Sequence, residues 1–265
     1  MNVSLADSIR SARTAGGVAL MPFVAAGYPS IDASIEILKA LDAPGIGAIE
    51  VGIPFSDPTA DGPVIQAAFA EALASHFKVA DFFAALARAK GAITKPMVAM
   101  VSYSIVFRYG VERFFADAKA AGFAGILCPD LPPPEAQTVC AKVRSAGLDT
   151  VLLVAPTTSS ARREEIAKLS SGFVYYLSVA GITGERDTLP ADLEANVRQL
   201  KSISASPVCI GFGVSQRKHI EQLVGVGDGA IVGTALVRVV RDHAAESPAQ
   251  IAQAVRAYCD TLLGK

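Results

Sequence analysis

The sequence contains no tryptophan and only three histidines, His76, His219 and His243. All three fall in segments of helical pattern, away from the predicted strand ends, and no metal-ligand cluster is visible. The four cysteines, Cys128, Cys140, Cys209 and Cys259, are scattered without a C-x-x-C pair, which predicts reduced, buried thiols rather than a disulfide framework. No run approaches the ~18 uncharged apolar residues of a membrane span. The opening "MNVSLADSIRSARTAGG" lacks the apolar core of a secretory signal, so a cytoplasmic chain is expected. Neither sign of charge is in excess: 24 basic against 25 acidic residues leave no electrostatic footprint for nucleic acid.

What is present is an apolar, regular chain. Hydrophobic residues make up 51% and charged residues 18% of 265 positions, enough for a sizeable core. Short β-rich runs bounded by Gly or Pro alternate with Ala-rich stretches of helical period. The strand candidates are 18–27, 46–52, 96–102, 124–129, 149–156, 172–178, 207–213 and 229–234. Nearly all are continuously apolar, as strands covered on both faces should be. Ser30 is placed to cap the helix that follows the first strand, and Gly122 and Gly147 to end two later ones. Residues 2–13, a segment around 75–91 and the tail after Ser247 read as further helices. No linker interrupts the rhythm, and residues 1–265 read as one domain. A closed (βα)8 TIM barrel with an extra N-terminal helix and extra peripheral helices fits the count. A solenoid is disfavoured because the repeats share no signature, and an open doubly wound sheet is the alternative.

The chemistry should lie at the C-terminal strand ends. The second strand ends in "EVGIPFSDPTADGP", residues 50–63. Alternation puts Ile49 and Val51 toward the helices and Glu50 toward the barrel interior. A carboxyl there should have a raised pKa and be able to give and take protons near neutrality. Asp61 follows in a loop stiffened by Pro58 and Pro63, where a turn or cap role competes with a chemical one; for Asp57 the turn role is preferred. The last three strand ends carry glycine clusters: Gly181 and Gly184, Gly211 and Gly213, then Gly233 with Thr234 opening a helix. Glycines at the seventh and eighth strand ends suit a phosphate cradle made of backbone N–H groups. Phe23, Ile65, Val101, Tyr103 and Phe212 could supply an apolar floor between acids and cradle. These features predict a small phosphorylated ligand with a flat or apolar end, handled by acid/base chemistry.

The segments "PFVAAGYPS", "IEVGIPFSDPTADGPVIQAA", "AGITG", "GFGVS" and "GTAL", in this order along the chain, resemble the tryptophan synthase α chain family. The resemblance implies a lyase that cleaves indole-3-glycerol phosphate to indole and glyceraldehyde 3-phosphate. It implies Glu50 as general acid/base and Asp61 as the group that accepts the indole N–H and stabilises charge developing there. Thr183 matches the residue of the strand-six loop that meets the Asp61 loop on closure. Tyr175 and Phe212 match aromatic positions of the pocket, and Gly184, Gly213, Gly233 and Thr234 match phosphate-binding positions. Loops 54–61 and 181–190 are expected to move. The family also implies a β chain as partner in an α2β2 assembly, which receives indole and carries pyridoxal phosphate, so that this chain needs no cofactor. The chain departs from the family after strand three, where Tyr103-Ser104-Ile105 lacks the Asn of a Tyr-x-Asn arrangement. A stand-alone indole-releasing lyase, an inactive barrel that only activates a β chain, and a different phosphate-binding barrel are the competing readings. The intact acids argue against the second, and "IPFSDPTADGP" is left unexplained by the third.

Overall fold

A computed structural model of the protein describes residues 4–13, 17–58, 61–178, 190–211 and 213–265. Its eight strands are β1 (Ala19–Ala25), β2 (Ile49–Gly52), β3 (Met97–Met100), β4 (Phe123–Leu127), β5 (Asp149–Val154), β6 (Phe173–Leu177), β7 (Val208–Gly211) and β8 (Gly229–Val232). They pair in parallel, in sequence order, and β8 returns to β1 to close the barrel. Each predicted strand is present, though several are a few residues shorter than the apolar run that announced them.

The described helices are α1 (Leu5–Ala12), α2 (Ile31–Ala40), α3 (Pro63–Ala74), α4 (Val79–Arg88), α5 (Tyr103–Tyr109) and α6 (Val111–Ala120). The second half adds α7 (Pro133–Ser145), α8 (Ser160–Leu169), α9 (Leu193–Ile203), α10 (Arg217–Leu223), α11 (Thr234–Asp242) and α12 (Pro248–Leu263). Local chemistry sets their ends. Ser30 accepts the Ala33 N–H and caps α2, and Ser247 with Gln250 forms a capping box on α12. The turns after α6 and α7 use Gly122 at φ +99° and Gly147 at φ +73°, a region that a side chain strains. Helix α5 has no counterpart in the sequence reading, because seven residues is too short for a periodicity to register. Two histidines also stand differently from expectation. His76 lies in the turn between α3 and α4, at φ +60°, and His243 is the C-cap of α11. Only His219 is inside a helix, α10. Among the described residues no helix is long and apolar enough to cross a membrane.

Strand alternation divides the core in two. Ala19, Met21, Ala48, Val98, Leu127, Val151, Phe173, Tyr175, Cys209 and Ile231 fill the barrel. Ile49, Val51, Ala99, Ile126, Val174, Ile210 and Val232 pack in the layer shared with the helices. The extra N-terminal helix plugs the barrel's N-terminal end: Leu5 and Ile9 are fully buried within the interior cluster. Glycines make room for it. A Cβ on Gly125 would sit 2.6 Å from Leu5 Cδ1, and one on Gly172 2.8 Å from the same atom. The Ser8 hydroxyl donates to the Gly47 carbonyl at 2.6 Å and fixes the plug. Burying two such side chains contributes about 3–6 kcal/mol. Nearby, the Asp228 carboxylate pairs with Arg13 at 2.7 Å and Lys201 at 3.0 Å and accepts the Val208 N–H at 2.9 Å. It ties the segment after α1, α9, β7 and β8 together, away from the opposite end where the predicted chemistry lies.

Candidate active site

Glu50 sits on β2 between Phe23 of β1 and Val98 of β3 in register. It is 2% exposed, and its Oε1 has no hydrogen-bond partner among the described residues. Burial, reinforced by the neighbouring Asp61 charge, pushes the carboxyl up from its ordinary 4.5 to about 8. Near neutrality Glu50 is therefore a neutral acid held inside an apolar barrel.

Asp61 is delivered by the loop that follows. Its N–H donates to the Pro58 carbonyl at 3.1 Å, and Gln66 of α3 donates to its carbonyl at 2.8 Å. Gly62, not Asp61, is the N-cap of α3, and no side chain caps that helix. Asp61 is buried, and burial pushes its carboxyl up from 3.8 to about 6. Asp57, in contrast, is exposed and takes a hydrogen bond from the adjacent Ser56 hydroxyl at 2.5 Å, in keeping with a turn residue. The outcome is two buried carboxyls, with the Asp61 charge felt at Glu50, that titrate in different ranges. At pH 7 one is mostly protonated and the other mostly ionised.

Tyr175 of β6 belongs to the same electrostatic site. Its phenol is pushed well above the usual range by burial and then by the charges of Glu50 and Asp61. The ring lies against β7 at Gly211, where a Cβ would come within 2.7 Å of its Cε1. Phe23 leans over Gly52 in the same way: a Cβ there would meet Phe23 Cζ at 2.4 Å, and the ring goes on to meet Phe69 of α3 at 6.4 Å between centroids. Ile65 of α3 reaches toward the end of β8, its Cδ1 lying 3.8 Å from where a Cβ on Gly233 would be. Phe23, Ile65 and Gly233 thus gather on the β1–β2–β8 side of the barrel mouth.

At the end of β8, Gly233 is the N-cap of α11 and Thr234 its first residue, with Thr234 buried. The N-terminal end of this helix, just past β8, carries the positive end of its dipole. After β7, Gly213 has φ +85°, a conformation that requires glycine. Thr183, Gly184 and Phe212 lie outside the described residues, as do positions 59–60 and 181–189 of the two loops expected to move.

Two predicted floor residues lie just past the end of β3. Val101 packs in the outer cluster, on the parity of Ala99, while its N–H extends the ladder to Leu127 O at 2.9 Å. Tyr103 opens α5, its N–H bound to Asp130 at 2.8 Å and its hydroxyl bonded to Glu135. It packs against the cluster that also holds Phe23 and Ile65. The inward positions of β3 are Val98 and Met100, and Met100 was missed. Counting by twos from Val98 finds it. Among the described residues no group of three His, Cys, Asp or Glu could hold a metal ion.

Comparison with known proteins places this arrangement in context. The family model for the tryptophan synthase alpha chain matches residues 9–263. The chain is 41% identical over 260 residues to the tryptophan synthase alpha chain of Picosynechococcus sp., covering 98% of this chain and 97% of that one. It is 46% identical over 227 residues to that of Rhodopirellula baltica, covering 84% and 82%. It superposes on a mutant tryptophan synthase alpha-subunit from Pyrococcus furiosus with TM-score 0.85 at 35% identity, over 94% of this chain and 98% of that one. A tryptophan synthase complex from the same organism matches with TM-score 0.84 at 35% identity, over the same shares of each chain.

Proposed function

This chain belongs to the tryptophan synthase α chain family, and we propose that it cleaves indole-3-glycerol phosphate to indole and glyceraldehyde 3-phosphate by acid/base chemistry of Glu50 and Asp61. The observation that carries the proposal is the pair of buried carboxyls with separated titration, about 8 for Glu50 and about 6 for Asp61. The reaction needs both protonation states at once. Protonated Glu50 gives its proton to the indole ring carbon that bears the glycerol chain. The ring nitrogen becomes positively charged, and ionised Asp61 accepts its N–H and stabilises that charge. The carbinol O–H next to the ring then loses its proton to Glu50, the C–C bond breaks, and its electrons neutralise the ring. Glu50 ends protonated, as it began. A fixed carboxylate facing developing charge in a water-poor site is a large catalytic contribution.

The remaining residues take supporting roles. Tyr175, Phe23, Ile65 and Phe212 line the indole end, and Thr183 meets the Asp61 loop when the site closes and excludes water. Gly184, Gly213, Gly233 and Thr234 bind the phosphate through backbone N–H groups, the helix dipole of α11 and the threonine hydroxyl. The chain works in the cytoplasm with a β chain that takes up the indole. Pyridoxal phosphate belongs to that partner, and this chain's own chemistry needs only its carboxyls. The likeness to a solved tryptophan synthase complex supports the pairing.

The test is indole release from indole-3-glycerol phosphate by the purified chain, with and without an added β chain. Slow release that rises on addition of the β chain is the expected result. Fast release that ignores the β chain would point to a stand-alone lyase, and no release under either condition would remove the substrate.

A further inference from the structure

The mechanism above leaves a fully buried histidine unused. His219, on α10, has no exposed surface, and its Nδ1 accepts the Ser215 N–H at 3.2 Å. A neutral ring in which Nδ1 accepts carries its hydrogen on Nε2. The carbonyl of the same residue, Ser215, accepts the hydroxyl of Tyr258 from α12 at 2.8 Å. Both backbone groups of one loop residue are thus held by side chains from two different helices. The other end of that loop is held as well. The Gly211 carbonyl accepts both the backbone N–H and the hydroxyl of buried Ser178, each at 3.1 Å. Between these anchors runs the turn with Gly213 at φ +85°.

We propose that His219 and Tyr258 are positioning residues for the β7–α10 turn, holding it in the shape in which its backbone N–H groups receive the phosphate. The inference rests on the phosphate-cradle reading given above. Its physical basis is that a cradle built from backbone dipoles has no side chain of its own to aim. A glycine-rich turn samples many conformations, and its N–H groups bind an anion well only when preorganised. His219 supplies the acceptor for the part-buried Ser215 N–H, and Tyr258 supplies a donor to the same peptide unit's neighbour. Neither side chain need touch substrate. Because α12 packs on α10 and α2, the anchor also ties the turn to the C-terminal helix.

The test compares the wild-type chain with Tyr258→Phe, His219→Gln and His219→Leu. Binding of glycerol 3-phosphate and of indole is titrated for each, and KM and kcat are measured with the full substrate. Loss of one net hydrogen bond predicts glycerol 3-phosphate binding weaker by roughly three- to tenfold in Tyr258→Phe and His219→Leu. KM should rise by the same factor with kcat held within about twofold, and indole affinity should not change. His219→Gln, whose carbonyl can accept the Ser215 N–H, should restore wild-type binding. A purely structural role would lower thermal stability in these variants without separating phosphate from indole. Folded Tyr258→Phe with wild-type glycerol 3-phosphate affinity overturns the proposal, and it decides alone if His219→Leu does not fold. If the wild-type chain binds indole but no glycerol 3-phosphate, the cradle reading itself falls and takes this inference with it.

Discussion

Glu50→Gln should abolish turnover and at the same time make the protein more stable, increasingly so as pH rises. The folded chain holds the Glu50 proton up to about pH 8, whereas the carboxyl ordinarily releases it near 4.5. Between these values the unfolded chain has lost a proton that the folded chain keeps. The folded state binds more protons, so stability falls as pH rises through this window and levels off above the folded-state value. Each pH unit is worth 1.36 kcal/mol, which gives roughly 3 kcal/mol of lost stability between about pH 5 and pH 8. Glutamine has nearly the same shape and no proton to lose, and it does not carry this slope. Asp61 is raised by burial, not by the Glu50 charge, so its own contribution stays common to both proteins. The measurement is urea unfolding of both proteins across that range, taking the difference in unfolding free energy at each pH. The variant's advantage should grow by roughly 3 kcal/mol, while turnover falls by about 100- to 10,000-fold, the usual size of a lost general acid. Two stability curves that stay parallel within about 1 kcal/mol would show that Glu50 is not a neutral, desolvated acid in the folded chain, and the mechanism built on that state would fail with it.

Three further outcomes follow from the same geometry. The pH profile of kcat/KM should be bell-shaped, rising as Asp61 ionises near 6 and falling as Glu50 loses its proton near 8; a profile flat across that range would deny the assignment of acid and anion. Gly211→Ala places a methyl 2.7 Å from the Tyr175 ring and should displace it, costing about 1–3 kcal/mol on thermal unfolding and raising KM; unchanged KM would mean that the ring's position is immaterial to binding. Asp228→Ala removes the carboxylate shared by Arg13 and Lys201 at the opposite end of the barrel. Both cations are about a third exposed, so the loss should be about 2 kcal/mol, smaller than for a fully buried pair, with kcat intact at temperatures where the variant is folded; urea unfolding and turnover read the two separately.

The barrel was legible because its strands are buried on both faces and its helices on one, so two kinds of apolar run alternate eight times. Glu50 was legible for the opposite reason: a carboxylate inside a two-sided apolar run breaks the rule that burial imposes, and such breaks mark chemistry. Alternation reaches only part of the floor, because it applies only within a strand. Glu50 and Phe23 lie within β2 and β1, opposite each other in register, where counting by twos applies. Val101 and Tyr103 lie just beyond β3, where the chain turns into the unforeseen helix α5, and there Tyr103 bonds Glu135 through its hydroxyl.

The proposed phosphate end is only half legible in the sequence, and the reason is physical. Gly213 and Gly233 announce that backbone comes close to something, but a glycine carries no information about what aims its N–H. In our proposal that role falls to Ser178, just past β6, His219 of α10 and Tyr258 of α12, which meet only in the folded barrel. Read singly, each is an ordinary serine, a core histidine and a tyrosine on an amphipathic helix. Catalytic carboxyls betray themselves in sequence because burial makes them costly where they stand. The groups proposed to hold a backbone cradle in shape each hydrogen-bond the backbone they hold, which no sequence pattern announces, and only the three-dimensional structure brings them into view.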